Sequence, residues 1–292
     1  MAETRRRKSK LEKRSAIRDR PLRRRSRGRL RRRAALAVAA VLVIALAGGL
    51  LFRNPWSGGN SDAGPRTAAI VDQLGLTQPN PSFVEEATAT LERVGYAVDY
   101  YPGEEVTVDF YRDLPRRGYD VIILRVHSGV VSLLDSATGR RIHTEYVSLF
   151  TAEPYSSIKY PDEIRPRPPE EPAARLGPAF YYEGSPRYFA IMPGFVEHSM
   201  KGDFGGATVV MMGCDGLQSQ ETAEAFLERG ASAFVSWNDQ VSADHTDAAT
   251  ERLLEKLLVD GLPVKEAVAG TAVEVGADPF YGSELRMLAK GG

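Results

Sequence analysis

"VIILRVHSGV" (residues 121–130) and "TVVMMGCDGL" (residues 208–217) are the stretches on which this chain's fold turns. Each is an apolar run that breaks off at a reactive side chain followed by small residues. The first delivers His127. The second delivers Cys214, the one cysteine in the chain. Short apolar runs bounded by glycine fit strands buried on both faces, as in a parallel sheet with helices above and below. In such sheets ligands gather beyond the carboxyl ends of the strands. If the two strands are neighbours, their tips lie about 5 Å apart, and the two side chains can meet across a substrate.

The surrounding pattern supports such a sheet. "TAAIVDQL" (67–74) reads as a buried strand and "NPSFVEEATATLERVGY" as an amphipathic helix, with Ser82 as N-cap, Glu85 as its capping-box partner and Gly95 as its stop. Strand "AVDYY" (97–101), a short helix in "TVDFYRDLPRRG" and strand "DVIILRV" (120–126) follow. Residues 130–150 read as a hairpin turning near "DSATGR", residues 161–172 as a Pro- and charge-rich surface loop, and "RYFAIMP" (187–193) as a strand. The alternation then resumes: strand "ATVVMMG", a helix from about Leu217 to Gly230, strand "ASAFVSW", helix "HTDAATERLLEKLLVDG", and a final helix in "PVKEAVAGTAVEVG". Strands alternating with helices imply α/β architecture with a mainly parallel sheet. Residues 67–292 are expected to form one domain.

The chain's zero net charge hides a division. Residues 1–33 carry 17 Lys and Arg against three acids, a charge of about +14; residues 34–292 hold the remaining 21 bases and 35 acids, about −14. Between tail and body lies "AALAVAAVLVIALAGGLLF" (34–52), without a charged residue. As a helix it rises about 28 Å, enough to cross the hydrocarbon core of a bilayer. The positive-inside rule keeps the basic tail in the cytoplasm and places the body outside, behind a Gly/Ser/Pro linker at 53–66. A cleaved signal peptide is the rival reading, since "ALA" at 45–47 fits a cleavage site. The long tail and the apolar length favour an uncleaved, single-pass anchor. Anionic lipid is a fitting partner for the tail. It lacks the interleaved aromatics of nucleic-acid binders, which argues against that partner.

A lone cysteine outside the cell forms no intramolecular disulfide, so it is a buried spectator, an intermolecular link or a reactive thiol. A helix starting just after Asp215 and Gly216 would lower the thiol's pKa through its dipole. Gly213 and Gly216 leave room for a substrate backbone, and free N–H groups around Cys214 would stabilise an oxyanion. Asp215 and Asp239 are carboxylates that would favour a basic residue before a cut. Other candidates are weaker. Ser128 lacks a nucleophile elbow. His245 with Asp244 and Asp247 has no companion ligands, so no metal or cofactor is implied.

These residues resemble the caspase–gingipain superfamily of cysteine peptidases (clan CD), which includes legumain, separase and the CHAT domains. There one strand ends in His-Gly and a later strand in a cysteine flanked by small residues; "ILRVHSG" and "VVMMGCDG" are the matching stretches. The segments "AEAFLERGA", "SAFVSWNDQVS" and "PVKEAVAGT" extend the likeness through about 207–272, while 130–206 matches nothing in that family. The resemblance implies a three-layer α/β/α, flavodoxin-like sandwich. It implies hydrolysis of a peptide or protein substrate by Cys214 as nucleophile and His127 as base or acid. Gly129 would serve the oxyanion hole, and Trp237, Asn238 and Asp239 would stand beside the pocket for the residue preceding the cut. One departure matters: Ser128 intervenes, so Gly129 comes one place late. An inactive relative that binds peptides or partners is the alternative.

Overall fold

The computed structural model describes residues 64–134, 141–165, 174–182 and 184–290. The basic tail, the apolar run 34–52, nearly all of the linker, the "DSATGR" turn and residues 166–173 lie outside them. Among the described residues no helix is long and apolar enough to cross a membrane. The described residues belong to one compact unit, Asp62–Gly292.

In chain order the elements are β1 (Thr67–Asp72), α1 (Pro81–Arg93), β2 (Ala97–Pro102), α2 (Val108–Asp113), β3 (Val121–Arg125), β4 (Ser128–Leu134) and β5 (Arg141–Pro154). Then come α3 (Pro161–Ile164), β6 (Leu176–Ala179), β7 (Tyr188–Ile191), α4 (Pro193–His198), β8 (Thr208–Met211) and α5 (Glu221–Glu228). The last are β9 (Ala233–Trp237), α6 (Ala243–Leu254), α7 (Val264–Val275) and β10 (Leu285–Ala289). The main sheet has six strands in the order β10-β9-β8-β3-β1-β2. All pairs are parallel except β9–β10. The α/β class and the mostly parallel sheet read from the sequence therefore hold.

Both faces of this sheet are covered, which is why its strands are apolar throughout. Ala69, Val71, Ile122, Leu124, Val209 and Met211 pack with Tyr111, Phe195 and Phe226 in one cluster. Their neighbours Ala68, Ile70, Val121, Ile123 and Val210 pack with Phe83, Leu91, Leu253 and Ala267 in another. The period of two along each strand sends alternate residues to opposite sides.

A second sheet, antiparallel and ordered β4-β5-β7-β6, grows out of the carboxyl end of β3. Its inner residues Leu149, Leu176, Phe189 and Ile191 join the first cluster. The hairpin expected at 130–150 is its β4–β5 pair, although β4 already begins at Ser128.

Some local expectations give way. Asn80, not Ser82, caps α1: its Oδ1 accepts from Phe83 N at 3.2 Å, and Pro81 takes the first helical turn, where its missing N–H costs nothing. The helix after Cys214 begins at Glu221 rather than Leu217. The intervening residues are drawn onto β9 instead, with Asp215 N bonding Asp239 O and Leu217 N bonding Trp237 O. The final element is a strand, β10, rather than α7; its "LRMLA" carries a charge and pairs on one side only, so it lacks the apolar mark of an inner strand.

Candidate active site

β1 leads outward to β2, and the chain then returns to the other side of β1 as β3. The order reverses there, and crevices form at such switch points. β3 also pairs with β8, with Leu124 opposite Met211. His127 and Cys214 each lie three residues beyond that pair. Both side chains line one cleft of about 1010 Å³, whose walls also include Gly129, Asp215 and Asp239, and Phe150, Phe180 and Tyr181 from the second-sheet region. The two strands are neighbours, and the two side chains share the cleft.

Arg125, the last residue of β3, is buried to 1% exposure. Its Nη1 donates to Asp72 Oδ1 at 2.7 Å, and Nε and Nη2 donate to the two oxygens of Asp247 at 2.8 and 2.9 Å. Nη2 also donates to Gln78 O at 2.9 Å. Asp247 in turn accepts from Asn80 Nδ2 at 2.8 Å. One guanidinium thus ties the ends of β1 and β3 to α6, to the N-cap of α1 and to the loop 73–80. Such a group sits in the interior only because every charge has its partner.

That loop holds His127. Gln73, fully buried, accepts the backbone N–H of His127 at 2.9 Å and donates to the Tyr181 hydroxyl at 2.7 Å. Thr77 Oγ1 lies 2.6 Å from His127 Nε2 and 3.2 Å from Leu74 O. A hydroxyl can donate or accept, so it anchors Nε2 in either tautomer of the ring. The Tyr181 and Phe150 rings lie 4.7 and 5.9 Å from the imidazole. Burial, with the Arg125 charge acting in the same direction, lowers the imidazole pKa to about 4. His127 is therefore neutral at physiological pH.

Cys214 is held differently from the expectation. Its thiol donates to Val241 O at 3.7 Å, and no hydrogen bond joins it to His127. Burial pushes the thiol pKa up, as do the charges of Asp215, Asp239 and Asp278, against the opposing effect of a hydrogen bond with the Val241 backbone. The dipole expected to lower it is absent, because α5 starts seven residues downstream and the field of a helix end fades within a turn. The loop is tightly fixed. Ser128 Oγ donates to Cys214 O at 2.6 Å. A Cβ at Gly213 would lie 2.2 Å from that hydroxyl oxygen and 2.5 Å from Val126 O, so only glycine fits. Asp215 adopts φ of 64°, a left-handed conformation uncommon outside glycine. Its carboxylate accepts the Val130 N–H, while burial and the charge of Asp239 push its pKa up.

The remaining residues implied by the resemblance divide. Asp239 lines the cleft. Trp237 does not: it is 1% exposed, and its indole N–H donates to Thr246 Oγ1 at 2.9 Å inside the core. Asn238 Oδ1 accepts from Glu284 N at 2.7 Å and so fastens the loop before β10. A Cβ at Gly216 would strike Met211 Cε at 2.1 Å and Ser236 Oγ at 2.2 Å, so this glycine serves packing rather than the cleft. Gly129 lies inside β4, paired with Ser148 of β5. His245 Nε2 bonds Gly276 O at 3.3 Å, apart from Asp247, which belongs to Arg125.

No protein-family model matches the chain, and no curated protein matches it significantly. The site must therefore be read from its own chemistry.

Arg125 escaped the sequence reading, although a charge inside "VIILRV" signals a buried ion pair, and Asp247 was weighed there only as a metal ligand beside His245. Gln73, Thr77 and Tyr181 carried no local signal, because they reach His127 only through the fold.

Proposed function

We propose that the chain is a membrane-anchored, extracytoplasmic cysteine endopeptidase with a caspase- or gingipain-like domain. The observation that carries this reading is the placement of Cys214 and His127 at matching positions beyond adjacent central strands, on one cleft. A three-layer α/β/α sandwich of that superfamily agrees with helices packed on both faces of a mostly parallel sheet. The apolar run 34–52 and the basic tail before it supply the anchor and its orientation.

In this reading the thiol starts protonated and the imidazole starts neutral, each because burial disfavours its charged form. His127 takes the thiol proton as sulfur bonds to the scissile carbonyl carbon. The C–N bond then breaks, and the departing amine takes that proton. Water attacks the resulting thioester with His127 again as base, releasing the acid and restoring the thiol. Thr77 engages Nε2, so Nδ1 is the ring nitrogen left for these transfers. Asp215 and Asp239 on the Cys214 side favour a basic residue before the cut.

One feature favours a second reading, a catalytically silent domain that binds peptides or partners in the cleft: the thiol bonds Val241 O rather than His127. The test uses the full-length chain in detergent against a mixed peptide library, with cleavage read by mass spectrometry. The peptidase cuts, and both Cys214→Ala and His127→Ala abolish cutting. Retention of peptides without cleavage, unchanged in Cys214→Ala, selects the second reading.

A further inference from the structure

We propose that the second-sheet region builds a pocket for a large apolar or aromatic side chain on the leaving-group side of the scissile bond. This rests on the peptidase reading. The departing amine must receive its proton from His127, so the residue that begins with that amine lies against whatever surrounds the imidazole. What surrounds it is aromatic: Tyr181 at 4.7 Å and Phe150 at 5.9 Å, with those two rings 5.7 Å apart. Phe180 and Met192 line the same cleft, and Phe180 is 42% exposed. An apolar ring left half in water at a cleft wall gains by being covered.

The pocket is also held in shape. Gln73 grips the Tyr181 hydroxyl with its amide N–H and the His127 backbone with its carbonyl oxygen, so ring and imidazole share one buried support. Tyr181 packs further against Tyr188 of β7 at 5.4 Å. Asp215 and Asp239 are the acids of the cleft and Arg187 lines it too, whereas the rings packed nearest the imidazole are those of Tyr181 and Phe150. A peptide laid across the dyad would thus place a cation before the cut and an apolar residue after it. The part of the chain that the family resemblance leaves unmatched, 130–206, supplies this wall.

The experiment has two arms on the full-length chain. In the first, Cys214 is alkylated by iodoacetamide and by N-phenethyl-iodoacetamide, with rates normalised to glutathione. The phenethyl reagent is expected to react about tenfold faster, the discrimination one apolar group gives, and Phe180→Ala is expected to remove most of that preference. In the second, peptides identical before the cut carry Phe, Leu, Gly or Asp after it, and kcat/KM for Phe should exceed that for Gly by roughly 30-fold. Equal normalised rates for the two reagents overturn the pocket, whether or not peptides are cut. Cleavage without preference after the cut overturns it as well. A phenethyl preference that Phe180→Ala removes, on a chain that cuts no peptide, keeps the pocket and refutes the peptidase reading.

Discussion

Thr77 lies 50 residues before His127 in the chain, yet its hydroxyl is the hydrogen-bond partner of Nε2 and fixes how the ring is presented. Thr77→Val removes that partner and leaves Nε2 without its hydrogen bond. The expected result is a loss of about tenfold in kcat with KM little changed, since a missing hydrogen bond of this kind is worth ~1.4 kcal/mol. Thr77→Ser should restore most of it. The imidazole itself makes a second prediction. Its pKa falls from 6.5 to about 4 on folding, so the unfolded chain binds the proton more tightly. Stability is therefore unaffected by this group above pH 6.5 and is lost as pH falls from there toward about 4. NMR titration of the His127 ring should give a midpoint near 4, and the acid limb of kcat/KM should sit there too. A midpoint near 6.5 would mean that water reaches the ring and that the aromatic surround is open.

At the scale of elements, the strand tip of β3 is held by charge. Arg125→Met keeps much of the volume but leaves Asp72 and Asp247 buried without their cation. Unfolding in urea should show a loss of about 3–5 kcal/mol, the usual cost of breaking a buried pair from one side. The triple variant R125M/D72N/D247N should lose less, because no unpaired charge remains. The loop between α7 and β10 gives a pH-dependent counterpart. Asp278 accepts from Ser242 Oγ at 2.6 Å and from the N–H groups of Ser242, Phe280 and Tyr281 at 2.8–2.9 Å. Burial works to raise its pKa, but these bonds outweigh it and hold it at about 2, below the ordinary 3.8. The stabilisation is present in full above pH 3.8 and fades as pH falls toward 2. The stability gap between the parent chain and Asp278→Asn should therefore be constant near neutrality and shrink across that window. Legibility followed burial. β3, β8 and β9 could be read because covering both faces demands unbroken apolar runs. β6 has four residues, one of them proline, and β10 pairs on one side only, so neither shows such a run. The start of α5 differs from the expectation because "CDGLQSQ" is held by the carbonyls of Trp237, at the end of β9, and of Asp239 just after it, a tertiary contact with no local signature.

For the molecule as a whole, the two candidate residues were legible because the sheet makes strand tips the natural place for chemistry, and adjacency followed once β3 and β8 paired. Their support was not, since Gln73, Thr77, Asp247 and Tyr181 converge from distant segments. The same contrast between local and global holds for charge. A tail of about +14 and a body of about −14 average to zero, and in the proposed orientation they would face opposite sides of a membrane. Each arginine in "RRRSRGRLRRR" (23–33) resists transfer across the bilayer and is attracted to the anionic inner leaflet, by about 1 kcal/mol apiece near the surface. The acidic body gains nothing comparable by staying inside. The full chain should therefore fractionate with membranes, and protease added outside intact cells should digest the body while sparing the tail. Replacing the arginines of 23–33 by serine should reduce the externally cleaved fraction, because the orienting asymmetry is gone while the apolar run still inserts. If the anchor were instead cleaved near 45–47, the body would appear in the medium with a new N-terminus just after that point, and detergent extraction of membranes would yield little of it. Deleting 34–52, which removes the apolar run and the 45–47 site together, should leave an uncleaved product in the cytoplasm that external protease cannot reach, whereas the N-terminus of the exported body in the parent chain separates anchor from signal peptide.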